Sequence, residues 1–145
     1  MHRAEFRMFH RLRVRWAEVD RQDVVFNGNY FLYFDVAITE YWRTIGLEYP
    51  GGYVERHGAD LFAVKATADF HGPARYDDLL DVGCRVARVG RSSARFLLGI
   101  WRGEAHLTSG ELVYVNTDTR AQTAKPWPDE FREKVLAFER TRPEG

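Results

Sequence analysis

Residues Tyr30–Gly46 read YFLYFDVAITEYWRTIG, and the fold turns on this stretch. Tyr30, Phe34, Ala37, Ile38, Tyr41 and Ile45 recur at three- and four-residue steps, the period of one helix face. Phe31, Val36 and Trp42 add apolar surface elsewhere on the circumference. The spacing therefore predicts a central, mostly buried helix over residues 30–45, roughly 24 Å long at helical rise. Asn27 or Asn29 can cap its start, and Gly46 stands where a left-handed C-terminal residue belongs.

Outside this stretch the apolar period falls to two, the mark of a strand with one wet and one dry face. Ahead of it, Arg11, Arg13 and Arg15 alternate with Leu12, Val14 and Trp16 in a strand predicted over Phe9–Trp16. Behind it, Phe62, Val64, Ala66, Ala68 and Phe70 are expected on one face of a strand over Leu61–Phe70. Leu80, Val82, Cys84 and Val86 mark the next strand, which ends near Arg88. Two more follow, Ala94–Trp101 and His106–Thr119, the latter interrupted at Ser109-Gly110. A short closing helix is predicted over Asp129–Arg140, with Pro128 near its first turn. A single apolar helix followed by a run of about four consecutive antiparallel strands is buried when the sheet wraps around it. That is the layout of an α+β hot-dog fold; a cystatin-like or cone-shaped sheet with one helix laid across it is the alternative.

The length of 145 residues fits one domain, 1–145, with no repeat or linker to divide it. An apolar share of 45% excludes a disordered chain, and no apolar run approaches the roughly 20 residues of a membrane span. The 21 basic residues balance 21 acidic ones, which argues against a nucleic-acid surface. Only Lys65, Lys125 and Lys134 are lysines, so 21 − 3 leaves 18 arginines, a side chain whose planar fork suits phosphate. Cys84 stands alone, so no disulfide framework or cysteine-based zinc site is expected. No secretory signal is visible, and the expected compartment is the cytoplasm.

The segment Trp16–Tyr30, WAEVDRQDVVFNGNY, places three acids in a loop that leads into the start of the buried helix. A helix N-terminus carries unpaired backbone N–H groups and about half a positive charge, which polarises a carbonyl oxygen. A carboxylate a few residues upstream can then act on the carbon of that carbonyl. On spacing alone, the same acids equally serve to solvate or cap a loop.

This segment resembles the opening motif of the hot-dog thioesterases of the 4-hydroxybenzoyl-CoA thioesterase type, including those associated with the Tol-Pal cluster. The match runs through Asp20, Val24, Val25, Asn29 and Tyr30, then Phe34-Asp35-Val36-Ala37 and Tyr41 to Gly46-Leu47. Pro73–Asp78, Val89–Ser93 and Pro126–Pro128 resemble later turns and the ending of that family. The resemblance implies hydrolysis of a short-chain, branched or aromatic acyl-CoA. It assigns Asp20 as base or nucleophile and the Asn27 backbone N–H as the carbonyl-polarising donor. Val25, Gly28 and Tyr30 are then expected at the substrate, and Arg91 and Ser93 at the nucleotide phosphates of CoA. It implies a homodimer or homotetramer, no metal, and no cofactor beyond the CoA carried by the substrate. A non-catalytic acyl-CoA or small-ligand binding protein on the same fold is the second reading.

Two positions depart from the family pattern: Asp23, where many members have Gly, and Asn27, where many have His or Tyr. A second carboxylate at Asp23 either crowds the site or points to solvent. Glu18 is a lesser candidate for the chemistry. Asp35 is expected as a structural or interface acid and His71 as a hydrogen-bonded loop residue. His57 lacks a supporting dehydratase motif.

Overall fold

The computed structural model describes all 145 residues. Its elements are β1 (Met8–Arg13), α1 (Asn29–Ile45), α2 (Gly51–His57), β2 (Ala59–Phe70), β3 (Leu79–Val89), β4 (Ser93–Arg102), β5 (Ala105–Asp118) and α3 (Asp129–Phe138). The five strands form one antiparallel sheet in the order β1-β3-β4-β5-β2, with α1 packed along its inner face. This is a hot-dog fold. Tyr30, Phe34, Ala37, Ile38 and Tyr41 bury the predicted stripe against Leu80, Val82, Cys84 and Val86 of β3 and Phe96, Leu98 and Ile100 of β4. At Gly110 of β5 a Cβ would collide with the ring of Phe34. No helix is long and apolar enough to cross a membrane.

Several expectations are corrected. Four consecutive strands do not form a meander; only β3, β4 and β5 do, while β2 lies at the far edge beside β5. The chain leaves α1 on that side, and residues 71–78 carry it back to β3 beneath the start of the helix. The first strand stops at Arg13 rather than Trp16, because residues 16–18 coil into a 3₁₀ turn held by Glu18. The last strand is continuous through Ser109-Gly110. The helix is not buried all round: Leu32, Val36 and Phe31 are exposed, Leu32 to 60%.

Gly46 does close α1 with a left-handed φ of 73°. Neither asparagine caps the start, however. Gly28 holds the cap position, and the Asn29 side chain instead donates to the carbonyl of Glu18 at 2.9 Å.

Candidate active site

The loop before α1 is a tight hairpin. The Asp20 N–H donates to the Val24 carbonyl at 2.8 Å, the Asp23 N–H donates to the Asp20 carbonyl at 3.0 Å, and Val19 bridges Val25. Such a closure needs a left-handed residue before Val24, and Asp23 supplies it with φ of 61°. The position where the family pattern has Gly is thus a backbone requirement, and Asp23 is exposed. The loop is fastened to its neighbours from both sides. Val25 N–H donates to Ala74 O at 2.8 Å, and Ala74 N–H donates to the Tyr30 hydroxyl at 3.1 Å. Phe26 N–H donates to Glu18 O at 3.0 Å.

Glu18 is consumed by this scaffold. Its carboxylate accepts from the Arg15 backbone N–H at 2.8 Å, the Arg15 guanidinium at 2.9 Å and the Tyr33 hydroxyl at 2.9 Å. Burial opposes its ionisation, but these donors hold its carboxyl below the usual carboxylate range. A buried carboxylate with all three donors in place is a structural anchor, and the lesser catalytic reading of Glu18 falls away.

At the helix start, the N–H groups of Asn29, Tyr30 and Phe31 turn back to the carbonyls of Phe26, Asn27 and Gly28. The N–H groups of Asn27 and Gly28 bond to nothing within the chain. They stand at the positive end of a 17-residue helix, beside a cleft of about 290 Å³. Its walls are Val24, Val25, Asn27 and Tyr30 on the helix side and Phe70, His71, Gly72 and Pro73 opposite. Tyr30 and Phe70 meet ring to ring, 5.0 Å between centroids.

The predicted residues divide. Val25, Asn27 and Tyr30 come together on one cleft, with Gly28 adjoining. Asp20 is one hydrogen bond away, through Val24, but is not itself on the wall. One of its carboxylate oxygens accepts from the Gln22 N–H at 2.7 Å, and the other has no partner within the chain. Arg91 and Ser93 are not brought to the cleft. Ser93 opens β4, whose other end, Arg102, donates to Pro73 O on the cleft wall at 3.2 Å. They stand at opposite ends of a 10-residue strand, about 30 Å apart. There the turn is braced from the segment just before α3, the Trp127 indole N–H donating to Ser93 O at 3.0 Å.

Sequence reasoning did not place Phe70, Gly72 and Pro73 at the helix start. No local signal marks them, because they arrive by the return of residues 71–78. His57 pairs with Glu130 at 2.7 Å and is a structural contact. No three His, Cys, Asp or Glu side chains gather as a set of metal donors.

The sequence profile of the thioesterase superfamily matches residues 22–109, more than half of the chain. The chain belongs to the thioesterase superfamily. Its matched span takes in α1, the cleft walls from Val24 to Pro73 and most of the sheet, and begins just after Asp20. A putative esterase of Aquifex aeolicus is 30% identical to this superfamily member over 87 residues, 60% of this chain and 66% of that protein, just under two thirds of its length. A solved protein of Pseudomonas aeruginosa strain PAO1 covers 94% of both chains with TM-score 0.80 and 26% identity. The 1,4-dihydroxy-2-naphthoyl-CoA thioesterase of Synechocystis also reaches TM-score 0.80, covering 88% of this chain and 93% of its own at 18% identity, which shows a shared fold.

Proposed function

We propose that the protein hydrolyses the thioester of a short-chain, branched or aromatic acyl-CoA to the free acid and CoA. The observation that carries this reading is the pair of unsatisfied N–H groups at Asn27 and Gly28, opening on an apolar cleft at the N-terminus of α1. A thioester carbonyl seated there gains charge on oxygen as it is attacked, and a preorganised donor aimed at that oxygen contributes a few kcal/mol. Tyr30, Val25 and Phe70 shape a space suited to a compact or aromatic acyl group. The Synechocystis relative, by its name, acts on an aryl-CoA. Asp20 supplies the carboxylate, either drawing a proton from water or attacking the carbon to give a mixed anhydride. No cofactor beyond the substrate's CoA enters this chemistry.

Arg91 and Ser93 serve the CoA phosphates in this reading only if they come from a second protomer, since about 30 Å separates them from the cleft of their own chain. β2 offers the means. It is a long edge strand whose residues 62–67 are all exposed, Phe62 to 47% and Val64 to 63%. Strands with such edges pair or are covered. Two β2 edges joined about a twofold would bring Arg91 of the partner subunit toward the Asp20 end.

The test is a panel of acyl-CoAs followed with a thiol reagent, run on the wild type and on Asp20→Asn. Asp20→Asn is expected to lower kcat by about 10²–10⁴-fold; unchanged turnover would remove Asp20 from the mechanism. Label found in the Asp20 carboxylate after a single turnover in ¹⁸O-water would mark the nucleophilic route, with water attacking the aspartyl carbonyl of the anhydride. The engagement of one Asp20 oxygen by Gln22 favours a second reading, a binder without turnover. Saturable acyl-CoA binding with no thiol release across the panel would establish it.

A further inference from the structure

Thr108 of β5 carries a hydroxyl that is fully buried and bonded to nothing within the chain. Arg3, Arg85 and Glu139 also bury an unpartnered atom, but each is paired through another atom of the same group, with Asp81, Glu5 and Tyr41 in turn. Only at Thr108 is the whole polar group orphaned. A buried hydroxyl in that state costs the fold stability, and a position that keeps one calls for a cause. The same inward strip of the sheet is otherwise apolar, with Leu112, Ile100 and Leu98 around it. Valine has the shape of threonine and would fill the place without the orphan.

The strand register fixes where that side chain stands. Thr108 is opposed by Phe70 of β2 and Ile100 of β4, and directly opposed residues share a face. Two residues on, Gly110 shares that face too, since a Cβ on it would meet the ring of Phe34. Thr108 therefore lies on the helix side of the sheet, toward the start of α1. Its neighbour Phe70 meets Tyr30 ring to ring, 5.0 Å between centroids, and both line the cleft with Asn27. The adjoining Leu107 O accepts from the N–H groups of His71 and Gly72 at 2.8 and 3.2 Å, which fastens this part of β5 directly to the cleft wall. Phe70 itself is 50% exposed, so its ring gives up little burial by moving.

We infer that Thr108 is a specificity-determining residue, whose hydroxyl bonds a hydroxyl or keto oxygen on the acyl group once that group displaces the Phe70 ring. The inference rests on the thioesterase reading and narrows its substrate class. Tyr30 stands three residues beyond Asn27, about 4.5 Å of helical rise. An acyl group whose thioester oxygen is held at Asn27 and Gly28 thus presents to Thr108 an oxygen a few bonds further along. A hydroxyl both donates and accepts, so it serves either substituent. An acyl group of hydrocarbon alone leaves the Thr108 hydroxyl orphaned and binds more weakly for it.

The experiment pairs acyl-CoAs that differ by one oxygen: 3-hydroxybutyryl-CoA against butyryl-CoA, and the hydroxybenzoyl-CoAs against benzoyl-CoA. Wild type is expected to favour the oxygenated member of one pair by about 10-fold in kcat/KM. Thr108→Val should bring that ratio to about one, and Thr108→Ser should keep it. Thr108→Val should also melt no lower than wild type, because it removes an orphan and keeps the shape. A lower melting temperature would show the hydroxyl serving the fold and would overturn the inference. So would a wild type without preference in either pair, or a preference that survives in Thr108→Val; both leave the thioesterase reading standing. A wild type that hydrolyses no member of either pair sinks that reading, and this inference with it.

Discussion

Glu139 illustrates how one residue sets a pH dependence. Its carboxyl accepts from the Tyr41 hydroxyl at 2.7 Å and the Val86 N–H at 2.8 Å, while Oε2 is buried without a donor. Burial pushes this carboxyl up despite those two bonds. A raised acid favours the protonated fold, so its contribution is complete below the ordinary carboxylate range and is lost as pH rises through the raised value. Glu18, Asp81, Glu111 and Glu130 are shifted down, so their contribution is lost as pH falls. Glu139→Gln keeps both acceptor bonds and removes the ionisation. Its melting temperature is expected to gain on wild type as pH rises above the ordinary carboxylate range, and parallel curves there would refute the assignment. At the same scale, Asp23 shows a sequence departure acquiring a physical cause: short polar side chains tolerate the left-handed region that Gly occupies freely.

The strand β2 shows what alternation alone misses. Ala63 pairs with Tyr114, but Ala66 pairs with Leu112 and Ala68 with Gly110, so Val64 is an extra residue in a bulge. Directly opposed residues share a face, which puts Ala63, Ala66, Ala68 and Phe70 toward the helix and Phe62 on the other side. The expected single face from Phe62 to Phe70 is therefore split at the bulge, and Phe62 joins the exposed side of the strand. The contact between α1 and β5 is equally specific to elements. Gly110→Ala would drive a methyl into the fully buried Phe34 ring. A loss of about 1–3 kcal/mol is expected in urea unfolding, with the m-value unchanged; a stability equal to wild type would mean that the helix is free to lift.

For the molecule as a whole, the two sheet faces are covered differently. The inner face holds α1; part of the outer face is closed by the chain's own beginning. Phe6 packs on Gly83, where a Cβ would meet its ring, and edge-on to Trp101 at 5.3 Å, while Arg3 reaches the buried Asp81 at 2.7 Å. Exposed apolar side chains remain on the β2 edge and on Phe31, Leu32 and Val36 of α1, as well as at Trp16, Phe26, Tyr76, Leu79 and Leu136. If that edge joins two copies, Val64→Lys is expected to yield monomers in sedimentation at micromolar concentration, against dimers for wild type. The same variant should lose acyl-CoA turnover, because the phosphate-binding end would no longer reach the cleft. Wild type sedimenting as a monomer would defeat the two-chain site.

The one-dimensional signals determined the elements that have a strong period. The helix with its left-handed Gly46, the core face of β3 and the closing helix at Asp129 are all written in local spacing, as is the hairpin loop that carries Asp20. Val25, Asn27 and Tyr30 were named through the family resemblance of that loop, and in the structure all three line one cleft. Tertiary structure decided the rest. The place of β2 beside β5, the opposite wall from Phe70 to Pro73, the anchoring of Glu18 and the pairing of His71 with His106 through Ser109 all join residues far apart in the chain. Periodicity reports which way a side chain faces its own element; which element lies across from it depends on how the sheet must pass the chain around one central helix.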